Sequence, residues 1–141
     1  QRADDLFFDT VSQIHMPRWS SGRVALIGDA AHAPSFLSGQ GTSLALVGAY
    51  VLAGELATHT DPVDAFAAYE RIARPFMEAN QALALREGGS LLMPRTQEEL
   101  DARNAALAAM MASGKAVAHA EHSSAAHNAL NLPNYGHLVR E

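Results

Sequence analysis

The sequence contains no cysteine, and this absence removes several kinds of chemistry at once. A chain without cysteine forms no disulfides, offers no thiolate metal ligands and has no cysteine nucleophile. Positive charge is also scarce, because 15 acidic residues outweigh 10 lysines and arginines and leave a formal net charge of −5. A basic surface field of the kind that attracts nucleic acid is therefore not expected. We predict that nucleic acid is not a partner.

Long apolar runs are missing as well. The nearest candidate, Leu44 to Gly54, is shorter than the roughly 20 residues that a helix needs to cross a bilayer. No secretory leader pattern opens the chain. We therefore predict a cytoplasmic protein without a membrane partner. The first residue is Gln1 rather than methionine, which suggests a fragment of a longer protein.

The first part of the chain has the composition of short strands. Residues 6–16 are enriched in aromatic and β-branched side chains, which predicts one or two strands there. Residues 23–27 form a compact apolar run between Gly22 and Gly28, and this is typical of a buried strand in a parallel sheet. The segment from Gly28 to Gly41 is predicted to be an irregular loop.

Helical patterns dominate the remainder. Residues 42–56 carry no charge before Glu55 and are apolar on every face, which indicates a helix buried on most sides. Asp61 followed by Pro62 marks the start of an amphipathic helix, because aspartate is a good N-cap and proline suits the first helical position. Pro75 lies inside that helix and should kink it.

Two further helices are predicted towards the end of the chain. Thr96 and Glu99 have the spacing of a capping box, which predicts a helix that runs to about residue 111. Gly114 should end that helix, and an alanine-rich helix is predicted over residues 115–129. Neither a repeat nor a linker divides the sequence, so we predict one unit.

The loop after the apolar run is the segment best suited to a ligand. Asp29 directly follows the predicted strand, where ligands of open α/β sheets bind, and its carboxylate can accept hydrogen bonds from the hydroxyls of a sugar alcohol. Gly39 to Thr42 leads into the apolar helix, whose free amides and positive dipole end favour an electron-rich group. A flavin has a group for each of these sites: hydroxyls on its ribityl chain and an electron-rich pyrimidine edge on its ring.

The same residues resemble a known family. The segment from Gly22 to His32, followed by Pro34 and then Gly39-Gln40-Gly41, is similar to the second flavin-binding motif of the aromatic-hydroxylase type of FAD-dependent monooxygenase. Residues 34–45 resemble its tetracycline-modifying branch. The resemblance covers about residues 5–85. It implies an α/β fold class, the C-terminal part of a Rossmann-like FAD-binding fold with short strands, a flavin loop and then several helices, mostly helical in this fragment.

The resemblance also implies which residues bind the cofactor. Asp29 would contact the ribityl chain with Gly28 leaving room beside it, and Pro34 would lie next to the flavin ring. The pyrimidine edge would be lined by Gly39, Gln40, Gly41, Thr42 and Ser43. Many relatives have asparagine at the position of Ser43 and aspartate at that of Gly48. No metal site is expected and no catalytic side chain is assigned, because the flavin carries the oxygen chemistry in this family.

For the parent protein, the resemblance implies FAD as cofactor and NAD(P)H as transient reductant. Its substrate would be an aromatic or polyketide-like small molecule, hydroxylated with O₂. The 141 residues contain no Gly-x-Gly-x-x-Gly turn for the ADP half of FAD. The missing N-terminal part of the same fold is therefore the expected partner, and the isolated chain is expected to hold FAD weakly and to be inactive.

Within the chain we predict three segments. Residues 1–21 would contain the exit strand of a substrate sheet, residues 22–85 the flavin-binding strand, loop and kinked helix, and residues 86–141 the C-terminal helices. Two other functions remain open. The parent could be a different flavin oxidoreductase on the same scaffold, or the chain could be a non-catalytic remnant that serves as a helical interaction module.

Several remaining side chains are predicted to be structural. His32 is expected to be a structural histidine hydrogen-bonded to the backbone rather than an acid or base. Trp19 is expected to pack in the core, and Met110-Met111 to lie in the core or between helices. His119 and His122 are three residues apart on a predicted helix and could bind a metal, although a solvated or packing role is the commoner outcome.

Overall fold

The computed structural model describes residues 9–85, 93–113 and 125–138. Within these ranges the chain is mostly helical, as the sequence predicts. The regular elements are β1 (Ser20–Ser21), β2 (Val24–Ala25), α1 (Asp29–His32), α2 (Gly41–Thr58), α3 (Pro62–Leu83) and α4 (Gln97–Ser113). Short 3-10 turns lie at Phe36–Ser38 and Gly136–Leu138.

The apolar run predicted to be a buried parallel strand is instead one arm of a short antiparallel hairpin. Ser20 pairs with Ala25 and Ser21 with Val24. The turn between them contains Gly22 at a φ of +56°, which suits a two-residue hairpin turn. Val24 is 65% exposed, so the prediction of a buried parallel strand is wrong for these residues. Parallel strands are buried by neighbours on both sides, and the described residues supply no third strand.

The prediction of strands over residues 6–16 is also wrong for residues 9–16, which form no strand. Residues 1–8 lie outside the described part of the chain. A strand requires a neighbour to complete its ladder. Here the Ile14 N–H donates a single backbone hydrogen bond to the Ala33 carbonyl, at 3.0 Å. This segment therefore runs beside the predicted flavin loop.

Helices α2 and α3 pack against each other and form the core. Helix α3 begins as predicted, because Asp61 Oδ1 accepts a hydrogen bond from the Val63 N–H at 2.8 Å and Pro62 occupies the first turn. It continues through Pro75 to Leu83. The buried core comprises Trp19, Ala31, Leu44, Val51, Tyr69, Ala73, Phe76 and Met77.

Helix α2 is buried on one face only. Leu44 and Val51 are buried, whereas Leu46 is 67% exposed and Leu56 is 44% exposed. The prediction that this helix is covered on most sides is therefore wrong within the described residues. By length and composition alone α2 could cross a membrane, contrary to the sequence expectation, although the core helix of a soluble protein satisfies the same criteria.

Helix α4 is defined by its local cap. The Glu99 N–H donates to Thr96 Oγ1 at 3.2 Å, and the Arg95 N–H donates to Glu99 Oε2 at 2.6 Å. The predicted capping box is thus confirmed, with its return bond one residue further back. No residue of α4 is buried and Met111 is 82% exposed, so the predicted core role of Met111 is wrong. Most of the helix predicted over residues 115–129 lies outside the described residues.

Candidate functional site

The segment between β2 and α2 is more ordered than the irregular loop predicted from the sequence. It contains α1 and a 3-10 turn. Gly28 precedes α1 with a φ of +60°, and Gly39 follows the 3-10 turn with a φ of +64°. Side chains with a Cβ rarely adopt such angles, so glycine at these two positions allows the chain to turn into and out of the loop. The loop then enters α2 at Gly41.

The N-terminus of α2 presents unpaired backbone amides. The first N–H of the helix region to find a backbone acceptor is that of Leu44, which donates to the Gln40 carbonyl at 2.9 Å. The amides of Gly41, Thr42 and Ser43 have no acceptor among the described residues, and the preceding Gln40 makes no side-chain cap. No acidic side chain lies in the first turn to neutralise the positive end of the helix dipole.

Asp29 lines an open cleft of about 570 Å³ together with residues of the first turns of α2. The cleft is lined by Asp29, Gly41, Thr42, Ala45 and Leu46. Asp29 is exposed, and its carboxylate makes no hydrogen bond or ion pair with the described residues. An N-cap or turn aspartate would use its carboxylate on the backbone. This one is available to a ligand.

The residues around the cleft fit a flavin. A Cβ built on Gly41 would meet no atom within 4 Å, so the glycine is not required by packing within the described chain and leaves room for a ring edge. The cleft is lined by Gly41 and Thr42, whose N–H donors are free, and by Asp29, whose carboxylate is a free acceptor. A pyrimidine edge needs the donors and a ribityl chain needs the acceptor. The volume lies within the usual range of about 300–1,000 Å³ for ligand sites.

His32, the last residue of α1, is almost completely buried, at 2% exposure. Its ring lies 4.9 Å from that of Trp19, centroid to centroid, and neither ring nitrogen has a hydrogen-bond partner among the described residues. The expectation of a backbone-bonded histidine is therefore wrong, although its structural role fits this packing. Burial lowers the pKa of the imidazole from its ordinary value, and its own backbone, followed by the Asp29 carboxylate, opposes this only in part.

Trp19 packs in the core as predicted, at 1% exposure. The Arg74 guanidinium lies 4.6 Å from the centroid of the Trp19 ring. The backbone N–H of Trp19 donates to Glu70 Oε2 at 2.9 Å. Arg74 also donates from Nε to Glu70 Oε1 at 3.1 Å and from Nη1 to the Met16 carbonyl at 3.2 Å. Glu70 and Arg74 thus hold the segment before β1 against α3, and through Trp19 they support His32.

The chain end closes the opposite end of α2. The ring of Tyr135 lies on Gly54, where a built Cβ would be 2.2 Å from the nearest ring atom. The Tyr135 hydroxyl donates a short hydrogen bond to Glu55 Oε1, and burial, followed by the effect of that carboxylate, raises the pKa of Tyr135. The Tyr50 hydroxyl donates to the Pro133 carbonyl at 3.0 Å. We call this arrangement the tail lock (Tyr50, Gly54, Glu55, Pro133 and Tyr135).

Comparison with known proteins assigns the family. A family model described as an FAD binding domain matches residues 9–84, which is more than half of the chain. A flavin-dependent monooxygenase from an unknown prokaryotic organism is 53% identical over 104 residues, covering 72% of this chain and 27% of that protein. The chain belongs to the FAD-dependent monooxygenases. The resemblance drawn from Gly22 to Gly41 is confirmed.

Two further similar proteins are matched over more of the sequence. A second flavin-dependent monooxygenase from an unknown prokaryotic organism is 43% identical over 137 residues, which is 94% of this chain and 32% of that protein. The crystal structure of tetracycline destructase Tet(55) matches with a TM-score of 0.67 at 44% identity, over 92% of this chain and 32% of that one. The chain therefore spans about a third or less of the length of these relatives.

Only part of the predicted FAD site comes together at the cleft. Asp29, Gly41 and Thr42 line it, whereas the other five predicted residues do not: Gly28, Pro34, Gly39, Gln40 and Ser43. Pro34 is buried, and Gly28 and Gly39 act as turn residues. The sequence reasoning missed Ala45 and Leu46. Ala45 follows Gly41 by four residues and Leu46 follows Thr42 by four, so each shares a helix face with a predicted site residue, and this spacing was the available signal.

The metal hypothesis finds no support in the part of the chain that the structure describes. No group of three or more histidine, aspartate or glutamate side chains there could hold a metal ion. His119 and His122, on which the hypothesis depended, lie outside the described residues.

Proposed function

We propose that this chain is the flavin-facing portion of an FAD-dependent monooxygenase that hydroxylates an aromatic or polyketide-like small molecule with NAD(P)H and O₂. The observation that carries the proposal is that the unpaired Asp29 carboxylate lines the same open cleft as Gly41 and Thr42, whose amides are also unpaired. The similarity to a tetracycline destructase supports the substrate class. Membership of the monooxygenase family supports the reaction class.

In this proposal each group of the cleft has a defined role. Asp29 accepts hydrogen bonds from ribityl hydroxyls, and the amides of Gly41 and Thr42 donate to the pyrimidine edge. The positive end of the α2 dipole stabilises negative charge on that edge. Ala45 and Leu46 provide an apolar wall that keeps water from one side of the ring. When bound, FAD supplies the hydride-accepting and oxygen-activating chemistry.

The remaining parts of the proposal concern the complete protein. Its fold would be Rossmann-like, with the N-terminal part supplying the ADP-binding turn and further strands beside β2. That part would also cover the exposed apolar side of α2, where Leu46 and Leu56 face outwards. Burial of this surface would remove a patch of a kind that seldom remains open on a protein surface. We propose a cytoplasmic location for the assembled enzyme.

A comparison of flavins tests the proposal on the 141-residue chain. In this proposal the cleft contacts only the ring and the ribityl chain, which riboflavin and FAD share. The two ligands should therefore bind with dissociation constants within about threefold of each other, both weaker than about 1 μM. Asp29→Ala should weaken both by about tenfold, since it removes charge-assisted hydrogen bonds. Flavin fluorescence during titration measures these affinities.

The matched control is Asp101→Ala, which removes an exposed aspartate from α4 and should leave flavin binding unchanged. Binding of FAD at micromolar affinity or tighter, with riboflavin far weaker, would contradict the incomplete-site proposal. Equal binding by the wild-type chain and Asp29→Ala would contradict the assignment of the cleft.

A further inference from the structure

Ser35 has a backbone conformation that serine rarely adopts. Its φ is +72° and its ψ is 148°, and it is the one non-glycine residue of the described ranges with a positive φ. This region of backbone space is populated almost entirely by glycine. A serine remains there only when surrounding contacts hold it. Ser35 lies in the middle of the flavin loop, directly after Pro34.

Two glutamine side chains hold the peptide groups that precede Ser35. Gln13 Nε2 donates to the Pro34 carbonyl at 2.9 Å and to the Gln81 carbonyl at 2.8 Å. Gln81 Nε2 donates to the Ile14 carbonyl at 2.7 Å and to the Ala33 carbonyl at 3.2 Å. We name this pair the glutamine clamp (Gln13 and Gln81).

The donor capacity of the clamp is fully used. A primary amide has two N–H donors, and each glutamine directs both of them to backbone carbonyls, which can only accept. Gln81 is 3% exposed, so water cannot readily replace its contacts. The clamp therefore joins three segments that are distant in sequence: residues 13–14, the end of α3 and the Ala33–Pro34 peptide of the loop.

The other side of Ser35 is held by the loop itself. The Ser38 N–H donates to the Ser35 carbonyl at 3.2 Å, and the Ser38 hydroxyl donates to the same carbonyl at 2.9 Å. The Leu37 N–H donates to Ser35 Oγ at 3.3 Å. These bonds lie within the loop and do not attach it to the core. The clamp attaches the strained residue to the core, together with the backbone hydrogen bond from the Ile14 N–H to the Ala33 carbonyl.

We propose that Gln13 and Gln81 are positioning residues that hold the flavin loop in its strained, binding-ready conformation. The identity of the ligand rests on the proposed function, whereas the clamp itself does not. By fixing the Ala33 and Pro34 carbonyls to α3, the clamp sets where the chain turns through Ser35 towards Gly39 and Gly41. The entropy of ordering the loop is then lost during folding and not during flavin binding.

Amide hydrogen exchange on the 141-residue chain tests the clamp directly. Gln81→Met keeps the side-chain length but removes both donors. We expect exchange at the Ser38 and Gly39 amides to rise at least about tenfold, with the amides of Ala73 and Met77 in α3 unchanged, because the loop opens locally. Gln97→Met, on exposed helix α4, is the matched control and should change neither region.

Substitutions of Ser35 distinguish an effect of backbone strain at this residue from an effect of side-chain packing. In the Gln81→Met background, Ser35→Gly should return loop exchange towards the wild-type rate, because glycine adopts the observed φ without strain. Ser35→Ala should not, because it keeps the Cβ. Equal acceleration in the loop and in α3, unchanged loop exchange, or equal rescue by glycine and alanine would each overturn the proposal.

Riboflavin binding to the same variants supplies a separate reading. Gln81→Met should weaken riboflavin binding about tenfold, and Ser35→Gly in that background should restore most of it. If the wild-type chain binds no riboflavin while the exchange pattern is as expected, the proposed function fails and the clamp stands. If riboflavin binds to the wild type and Gln81→Met binds it equally well, the positioning role fails and the proposed function stands.

Discussion

At its N-terminal end helix α2 starts with Gly41, where an added Cβ would meet nothing within 4 Å, whereas near its C-terminal end Gly54 lies directly beneath the ring of Tyr135. Both are glycines on one continuous helix. Helix interiors disfavour glycine by about 1 kcal/mol relative to alanine, so Gly54 needs a compensating reason, whereas Gly41 is the first residue of α2 and carries no such penalty. At Gly54 that reason is the tail lock. At Gly41 no atom of the described chain fills the place of a side chain, and the free space opens into the cleft beside Asp29.

The two ends therefore differ in what completes them. The tail lock is complete within the chain, because its carboxylate, hydroxyls and carbonyl are paired with one another. The cleft is incomplete within the chain, because its carboxylate and its amides have no partners in the described residues. Unpaired polar groups arranged around a cavity are typical of a ligand site. This contrast supports the assignment of the flavin to the N-terminal end.

The largest effect is expected for Gly54→Ala. The methyl group would displace the Tyr135 ring, with loss of its burial and of its hydrogen bond to Glu55, so we expect the free energy of unfolding to fall by about 2–4 kcal/mol. Urea denaturation followed by circular dichroism measures this change. Gly48→Ala is the matched control, since its Cβ would make ordinary 3.5 Å contacts and should add up to about 1 kcal/mol. Similar behaviour of the two variants would contradict the lock.

A smaller loss is expected for Tyr135→Phe. The ring remains on Gly54, but the mostly buried Glu55 carboxylate loses its hydroxyl donor, which should lower the free energy of unfolding by about 2 kcal/mol. Tyr50→Phe removes a more exposed hydroxyl on the same side of the helix and should lower it by about 1 kcal/mol or less. Denaturation of both variants under one set of conditions tests the order, and the reverse order would show that Glu55 does not depend on Tyr135.

His32 predicts a pH dependence at the loop end. Burial lowers the pKa of His32 in the folded state, so the histidine binds a proton more readily in the unfolded chain. Stability therefore falls as the pH drops below about 6.5. His32→Leu should remove part of this fall between pH 7 and pH 5, whereas replacement of the exposed His127 by leucine should not. Unfolding curves across that range measure the difference. Parallel pH profiles for the wild type and His32→Leu would contradict the prediction.

The smallest effect on stability is expected for Gly41→Ala. Because nothing lies within 4 Å of the new methyl group, the free energy of unfolding should change by no more than about 0.5 kcal/mol. Riboflavin affinity should nevertheless fall by at least about tenfold, since the methyl group occupies the cleft. Denaturation and flavin titration of the same preparation give both numbers. A large loss of stability with unchanged riboflavin binding would reverse the contrast between the two ends.

Local signals in the sequence were sufficient for the caps. The Asp61 and Thr96 caps form as predicted because each depends on groups within four residues along the chain. The flavin motif was also recognisable, because its glycines and Asp29 occur in fixed order across a short segment. In each case the information lies in adjacent residues.

Features that depend on distant neighbours were not predictable. Residues 23–27 have the composition of a parallel strand, but no second parallel strand in the described residues pairs with them, and they form a hairpin with the residues just before. The glutamine clamp joins Gln13 to Gln81 across the fold, and no spacing rule connects such positions. Likewise, nothing in the sequence around Gly54 indicates that Tyr135 will lie on it.

Mapping of riboflavin binding onto the backbone amides tests the site assignment most directly. In a titration of the isotope-labelled 141-residue chain, followed by amide chemical shifts, the largest changes should occur at Gly41, Thr42 and Ser43, and Asp29 should also shift. The amides of Gly54 and Tyr135 should stay unchanged. Changes confined to the tail lock, or no changes at Gly41 to Ser43 while riboflavin binds, would contradict the assignment of the flavin to the start of α2.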